Sequence, residues 1–250
     1  TQAVNGSRDR FGDPRAARGL DLAARRSTPG SARCAPATER VTEINSPAWC
    51  NCAVNDHGPE QSEPDRTDPR VAAYLARLGR RDLLAAPADR ATLVALHRAH
   101  VERVPYETLQ IALGHPTPVD VAASVSSVLR GHGGYCFHLN GAFAWLLERL
   151  GYAVQHHRAG VQGARAATPV GADGNHLALT VDVEGQPWLV DVGLGSALHE
   201  PLPLAPGRYR QGPFTYGIRP SEAVPGGWRF DHDPSAQSFV GMDLDIAPCT

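Results

Sequence analysis

From Asp68 onward the apolar positions divide the chain into two parts with different periods. Val71, Tyr74, Leu75 and Leu78 recur three to four residues apart, which predicts one apolar helix face. Asp68 offers an acceptor before that helix, Pro69 suits its first position, and Gly79 suits its end. The same period predicts a second helix over about 88–104, carried by Leu93, Leu96, His100 and Val101. A third runs over about 119–130 on Val121, Val125, Val128 and Leu129. A fourth starts near Cys136, has Leu139, Phe143, Leu146, Leu147 and Leu150 as its stripe, and stops at Gly151. From Ala153 the period shortens to two, the spacing of a half-buried strand. His176 to Val183 alternates throughout, Glu184-Gly185 reads as a turn, and Trp188 to Val192 as the returning strand. One or two further strands are expected between Phe214 and Phe230, and Trp228 to Leu244 reads as the end of the β region or the start of another domain. The predicted class is α+β: a helical domain over 69–151, then an antiparallel β domain over 152–250.

Composition changes the picture before Asp68. Residues 1–68 are rich in Arg, Pro, Ser, Thr and Asp and lack sustained apolar periodicity. Such a segment cannot bury enough surface to offset its ordering entropy, so a disordered extension is expected. Cys34, Cys50, Cys52 and His57 lie within it at spacings that match no common zinc module. Across 250 residues the net charge is -2, which gives no reason to expect nucleic acid or an anionic membrane as partner. No apolar run is long enough for a membrane span, and no leader pattern is read at the start. Five cysteines, unevenly placed, are too few for a disulfide scaffold. A reducing, cytoplasmic setting is expected.

The chemistry centres on Gly133-Gly134-Tyr135-Cys136-Phe137-His138-Leu139-Asn140. A glycine pair delivers one cysteine to a helix start, where unpaired N–H groups and a partial positive charge favour a thiolate. A nucleophilic cysteine needs a base, and the base an orienter. His176 begins the best strand. Asp191 stands in the otherwise apolar Val190-Asp191-Val192, where a carboxylate is costly unless paired. A two-residue turn at Glu184-Gly185 pairs Val183 with Gln186 and sets Asp191 opposite Ala178. Asp191 is then a diagonal neighbour of His176 on the same face, about 7–8 Å away and within side-chain reach. A one-residue slip would separate them. Taken singly, Cys136 fits a small buried hydrophobe, His176 a core residue with a hydrogen bond, and Asp191 a turn residue. Together the residues leave both readings open. A metal at Cys136 with His132 and His138 is disfavoured because no fourth ligand is evident.

Gly133-Gly134-Tyr135-Cys136 with Asn140, then Asn175-His176, then Leu189-Val190-Asp191-Val192-Gly193-Leu194-Gly195, resembles the arylamine N-acetyltransferases. Val104-Pro105-Tyr106-Glu107-Thr108-Leu109 is similar to that family's Pro-aromatic-Glu-Asn-Leu segment. The resemblance covers about Pro69 to Thr250. It implies a helical bundle, a β-barrel and an α/β lid around a cysteine-protease-like core, with most of the lid expected to be missing here. It implies a Cys136–His176–Asp191 triad and ping-pong transfer of an acetyl group from acetyl-CoA to an arylamine or hydrazine. No metal is called for. Tyr106 and Phe137 would line the substrate pocket, while Asn175, Gly193 and Gly195 would border the CoA cleft. His132 stands where the family has Arg, His138 where it often has Glu, Tyr106 where Phe is more usual, and Thr108 where Asn is usual. Two other readings remain: an amide synthase that closes a macrolactam from a carrier-bound acyl chain, and an inactive fragment or binding module.

Overall fold

Asp68 caps the first helix, its carboxylate accepting from the Arg70 N–H at 2.9 Å in the computed structural model. The structure describes residues 64–236 and 238–249. Cys34, Cys50, Cys52 and His57, and the extension expected over 1–68 as far as residue 63, lie outside the described residues. The chain is already tied down before Asp68. Arg66 donates to the carbonyls of Leu84 (2.8 Å), Ala86 (2.7 Å) and Leu150 (2.6 Å).

Five helices follow: α1 Pro69–Arg77, α2 Arg90–Arg103, α3 Leu109–Ala112, α4 Val121–Leu129 and α5 Cys136–Arg149. A 3-10 turn at Arg81–Ala85 and the single turn of α3 were not visible in the apolar period, because segments this short complete too few turns to display one. Asp89 and Asp120 cap α2 and α4 through their side chains. The four longer helices fall where the period put them. The α5 stripe of Leu139, Phe143, Leu146, Leu147 and Leu150 is buried as expected, but Ala142, Ala144 and Trp145 on its other sides are buried too. α5 is therefore a central helix, covered all round.

Eight antiparallel strands form one sheet in the order β4-β3-β2-β1-β8-β7-β6-β5. They are β1 Ala153–Gly163, β2 His176–Val183, β3 Gln186–Val190, β4 Leu202–Pro203, β5 Gly207–Gln211, β6 Phe214–Pro220, β7 Trp228–Asp231 and β8 Phe239–Pro248. β8 pairs with β1 and β7, so this segment belongs to the sheet. Leu189 and Leu202 from one end of the sheet share a buried cluster with Tyr216, Ile218 and Phe230 from the other. The Tyr216 hydroxyl also donates to the Ala197 carbonyl at 3.0 Å. The sheet thus curls into a nearly closed barrel. On β2, Leu179, Val181 and Val183 pack against the helices, while Ala178 joins the barrel interior. The strand is thus covered on both faces although its polar and apolar residues alternate. Among the described residues no helix is long and apolar enough to cross a membrane.

The β2–β3 hairpin has the predicted register. Val183 pairs with Gln186 and Leu179 with Val190, around a turn with positive φ at Glu184 and Gly185. Both turn residues are left-handed, as the right-handed twist of the two strands demands.

Candidate active site

Cys136 is the first residue of α5, and the glycines ahead of it have separate steric reasons. A Cβ at Gly133 would stand 1.7 Å from the Pro105 carbonyl oxygen; one at Gly134 would stand 2.8 Å from His138 Nδ1. Without side chains the two residues zip onto the 105–107 segment. Glu107 N–H donates to the Gly134 carbonyl at 2.9 Å, and Gly133 N–H donates to Glu107 Oε1 at 3.0 Å. Tyr106 is carried to the mouth of the site in this way and remains half exposed. Tyr135, the residue before α5, supplies no side-chain cap.

His176 and Asp191 meet as the register required. Nε2 of His176 lies 2.7 Å from Asp191 Oδ2, both side chains being at most 3% exposed. The other ring nitrogen is left for Cys136, whose sulfur interacts with the imidazole. Burial alone would lower the His176 pKa. The Asp191 carboxylate, the Cys136 sulfur and the hydrogen bonds to both outweigh it and push the pKa up to about 10. The imidazole is therefore held as a cation between a carboxylate and a sulfur.

Asn140, one turn into α5, is the residue whose part in the site the sequence motifs alone did not reveal. Its Nδ2 donates to Asp191 Oδ1 at 2.8 Å and to the Leu177 carbonyl at 2.6 Å. Its Oδ1 accepts from Val192 N–H at 2.9 Å. The available signal was the cost of burying an amide: Asn140 lies one turn from Cys136 on a helix with no polar face, and a buried amide demands partners. Gly193 N–H completes the Asp191 carboxylate, donating to Oδ1 at 2.9 Å.

The remaining expected residues occupy definite places. A Cβ at Gly193 would stand 2.7 Å from Cys136 Cα, so this glycine lets the loop lie directly against Cys136. Gly195 has a φ of 71° and faces the Tyr106 ring. The amide of Asn175 braces β1, accepting from Val161 N–H at 2.8 Å and donating to the Val161 carbonyl and Asp173 at 3.3 Å. What Asn175 turns to the nucleophile is its backbone carbonyl, 3.9 Å from Cys136 Sγ. Phe137 is half-buried and makes an edge contact with the Tyr135 ring. Tyr106, Leu194, Gly195 and Leu198, with Asp191 and His199, border a cavity of about 220 Å³ of mixed polar and apolar lining. The Cys136 thiol, the His176 imidazole and the Asp191 carboxylate thus lie together at a helix start beside a curled sheet, the residue types that a cysteine–histidine–aspartate site uses.

A family profile described as N-acetyltransferase matches residues 89–232. The pineal gland isozyme of arylamine N-acetyltransferase from Gallus gallus is 30% identical over 185 residues, which cover 71% of this chain and 61% of the relative. Proansamycin X synthase from Amycolatopsis mediterranei (strain S699) is 34% identical over 141 residues, 54% of this chain and 53% of the relative. The solved arylamine N-acetyltransferase from Salmonella typhimurium superposes with a TM-score of 0.62 at 27% identity, over 72% of this chain and 64% of that one. The chain belongs to the arylamine N-acetyltransferase family. It spans 61% and 53% of the lengths of the two curated relatives.

Proposed function

We propose that the protein moves an acetyl group from acetyl-CoA to an arylamine or hydrazine through a thioester on Cys136. The observation that carries this reading is the 2.7 Å contact of His176 Nε2 with Asp191 Oδ2, on an imidazole whose other influence is the sulfur of Cys136, at a helix start without a side-chain cap. His176 holds the proton drawn from the Cys136 thiol, and the Cys136 thiolate attacks the thioester carbonyl. The carbon–sulfur bond to CoA breaks, and His176 returns the proton to the departing thiolate. In the second half-reaction the amine nitrogen attacks the carbonyl of the Cys136 thioester, His176 accepts the amine proton, and the carbon–sulfur bond breaks, releasing the amide and leaving the Cys136 thiolate beside the His176 imidazolium. Asp191 holds the ring orientation and stabilises its cationic form. First-turn N–H groups of α5 are aimed where negative charge develops on the carbonyl oxygen.

Tyr106 and Phe137 serve as walls for the acyl group and the aromatic amine, with the cavity beside Tyr106 as the acceptor's place. The backbone at Gly193 and Gly195 leaves room for the CoA arm to approach Cys136. Asn175 contributes there through its backbone, because its amide is committed to β1. A free nucleophilic thiol belongs in a reducing compartment such as the cytoplasm.

Intact mass before and after acetyl-CoA, without amine, tests the proposal. One added acetyl group in the native chain, absent in Cys136→Ala, is expected. Folded protein that gains none would overturn it. Acylation from a carrier-bound thioester but not from acetyl-CoA would move the reading to the amide synthase.

A further inference from the structure

One peptide unit is gripped from both sides beside the triad. The N–H of Val192 donates to Asn140 on α5. The carbonyl of the same unit, that of Asp191, lies 3.2 Å from Nε2 of His97 on α2. His97 is wholly buried, and its Nδ1 lies 3.1 Å from the His199 carbonyl. Both ring nitrogens thus face acceptors. A neutral imidazole carries one N–H, and His97 is neutral: burial, against the pull of the two carbonyls and of Asp191, brings its pKa down to about 4. The proton must choose. The Asp191 carbonyl contact is buried, whereas the His199 contact is partly open to solvent, so water can serve the second carbonyl and not the first. Leaving a buried acceptor without a partner is the costlier arrangement.

We propose that His97, as its Nε2–H tautomer, is a positioning residue for the triad, locking the Asp191–Val192 peptide plane so that the Asp191 carboxylate stays on His176. A turn of that plane would carry both the Asp191 side chain and the Gly193 N–H that completes its carboxylate. The inference rests on the acyl-transfer reading for its purpose, but its test does not require acetyl-CoA.

The test uses three variants of the full chain: His97→Leu, His97→Gln and His97→Asn. A glutamine amide nitrogen can reach the place of Nε2, and an asparagine one the place of Nδ1. The first readout is alkylation of Cys136 by iodoacetamide at neutral pH, followed by peptide mass. His97→Leu is expected to slow it about tenfold, with His97→Gln restoring it to within about threefold and His97→Asn failing to. Equal rates in the Gln and Asn variants, or rescue by Asn alone, would overturn the proposal. If His97→Leu does not fold, the Gln-against-Asn comparison still decides it. The second readout is the nitrogen NMR signature of the His97 ring in the native protein: a proton on Nε2 supports the assignment and a proton on Nδ1 overturns it. Failure of acetyl transfer alone would appear as normal alkylation with no acetylated Cys136, which separates the two proposals.

Discussion

Asn140 and Asp191 are joined at 2.8 Å, side chain to side chain, with both residues at most 1% exposed. That bond ties the helix that begins at the nucleophile to the loop that carries the carboxylate. Removing it leaves the Val192 N–H and the Leu177 carbonyl without the partner they have now. Asn140→Ala is expected to cost about 1–3 kcal/mol, read as a lower urea midpoint, and to slow Cys136 acylation. Asn140→Asp places a second carboxylate against Asp191, which raises the pKa of one of the two. Its stability should recover as pH is lowered from 7 to 5, and the same measurement on Asn140→Ala should show no such recovery.

Gly193 is the tightest contact between the loop and the nucleophile. Adding one methyl group puts carbon 2.7 Å from Cys136 Cα and 2.9 Å from Asn140 Nδ2. Backbone and a pinned amide cannot yield, so the loop must retreat and the Gly193 N–H bond to Asp191 lengthens. Gly193→Ala should lower the rate of acyl-Cys136 formation by about 10²-fold, the scale of a displacement of roughly 1 Å. Stopped reactions analysed by intact mass would measure it. A rate within a factor of two of the native chain would contradict this account of the glycine.

The helical layer carries an acid-side liability. His97 and His100 are both fully buried, and burial brings their pKa values down to about 4 and about 3. The unfolded residues titrate near 6.5. Between these values the unfolded chain binds the extra protons, so their contribution is full above pH 6.5 and is lost as pH falls toward 4. Urea midpoints should decline from pH 7 to pH 5. An unchanged midpoint over that range would remove these two histidines as the cause.

On the alkaline side the sign reverses. The folded pKa of His176 is raised to about 10, so the folded chain holds a proton that the unfolded one releases near 6.5. Its stabilisation is full below pH 6.5 and is lost as pH rises through about 10. Asp191→Asn removes the carboxylate that heads the raising causes. The variant should be less stable at pH 7, and its midpoint should depend less steeply on pH between 7 and 10 than that of the native chain. Parallel slopes in the two proteins would contradict the pairing.

Much of this architecture was legible in residue order because its signals are local. Asp68 with Pro69 marks a helix start, and the β2–β3 register follows from a two-residue turn whose twist matches its strands. That register alone placed Asp191 within reach of His176. The 3-10 turn and α3 were illegible because each is too short to display a period. The segment that forms β8 stayed open between two readings because its partner, β1, lies far away in sequence. The work of Asn140 and His97 was hidden for a related reason: a buried polar side chain declares a need for partners, but not which ones.

The sequence by itself determined the place of Cys136 at a helix start, the hairpin that pairs the His176 imidazole with the Asp191 carboxylate, and where helices give way to strands. Each depends on residues near one another along the chain. Tertiary structure alone decided that α2 and α5 would close on the Asp191–Val192 peptide, and that a missing Cβ at Gly193 would let the loop touch Cys136. Those contacts join residues about 50 to 95 positions apart, and chain order does not encode which buried groups will satisfy each other once the layers pack.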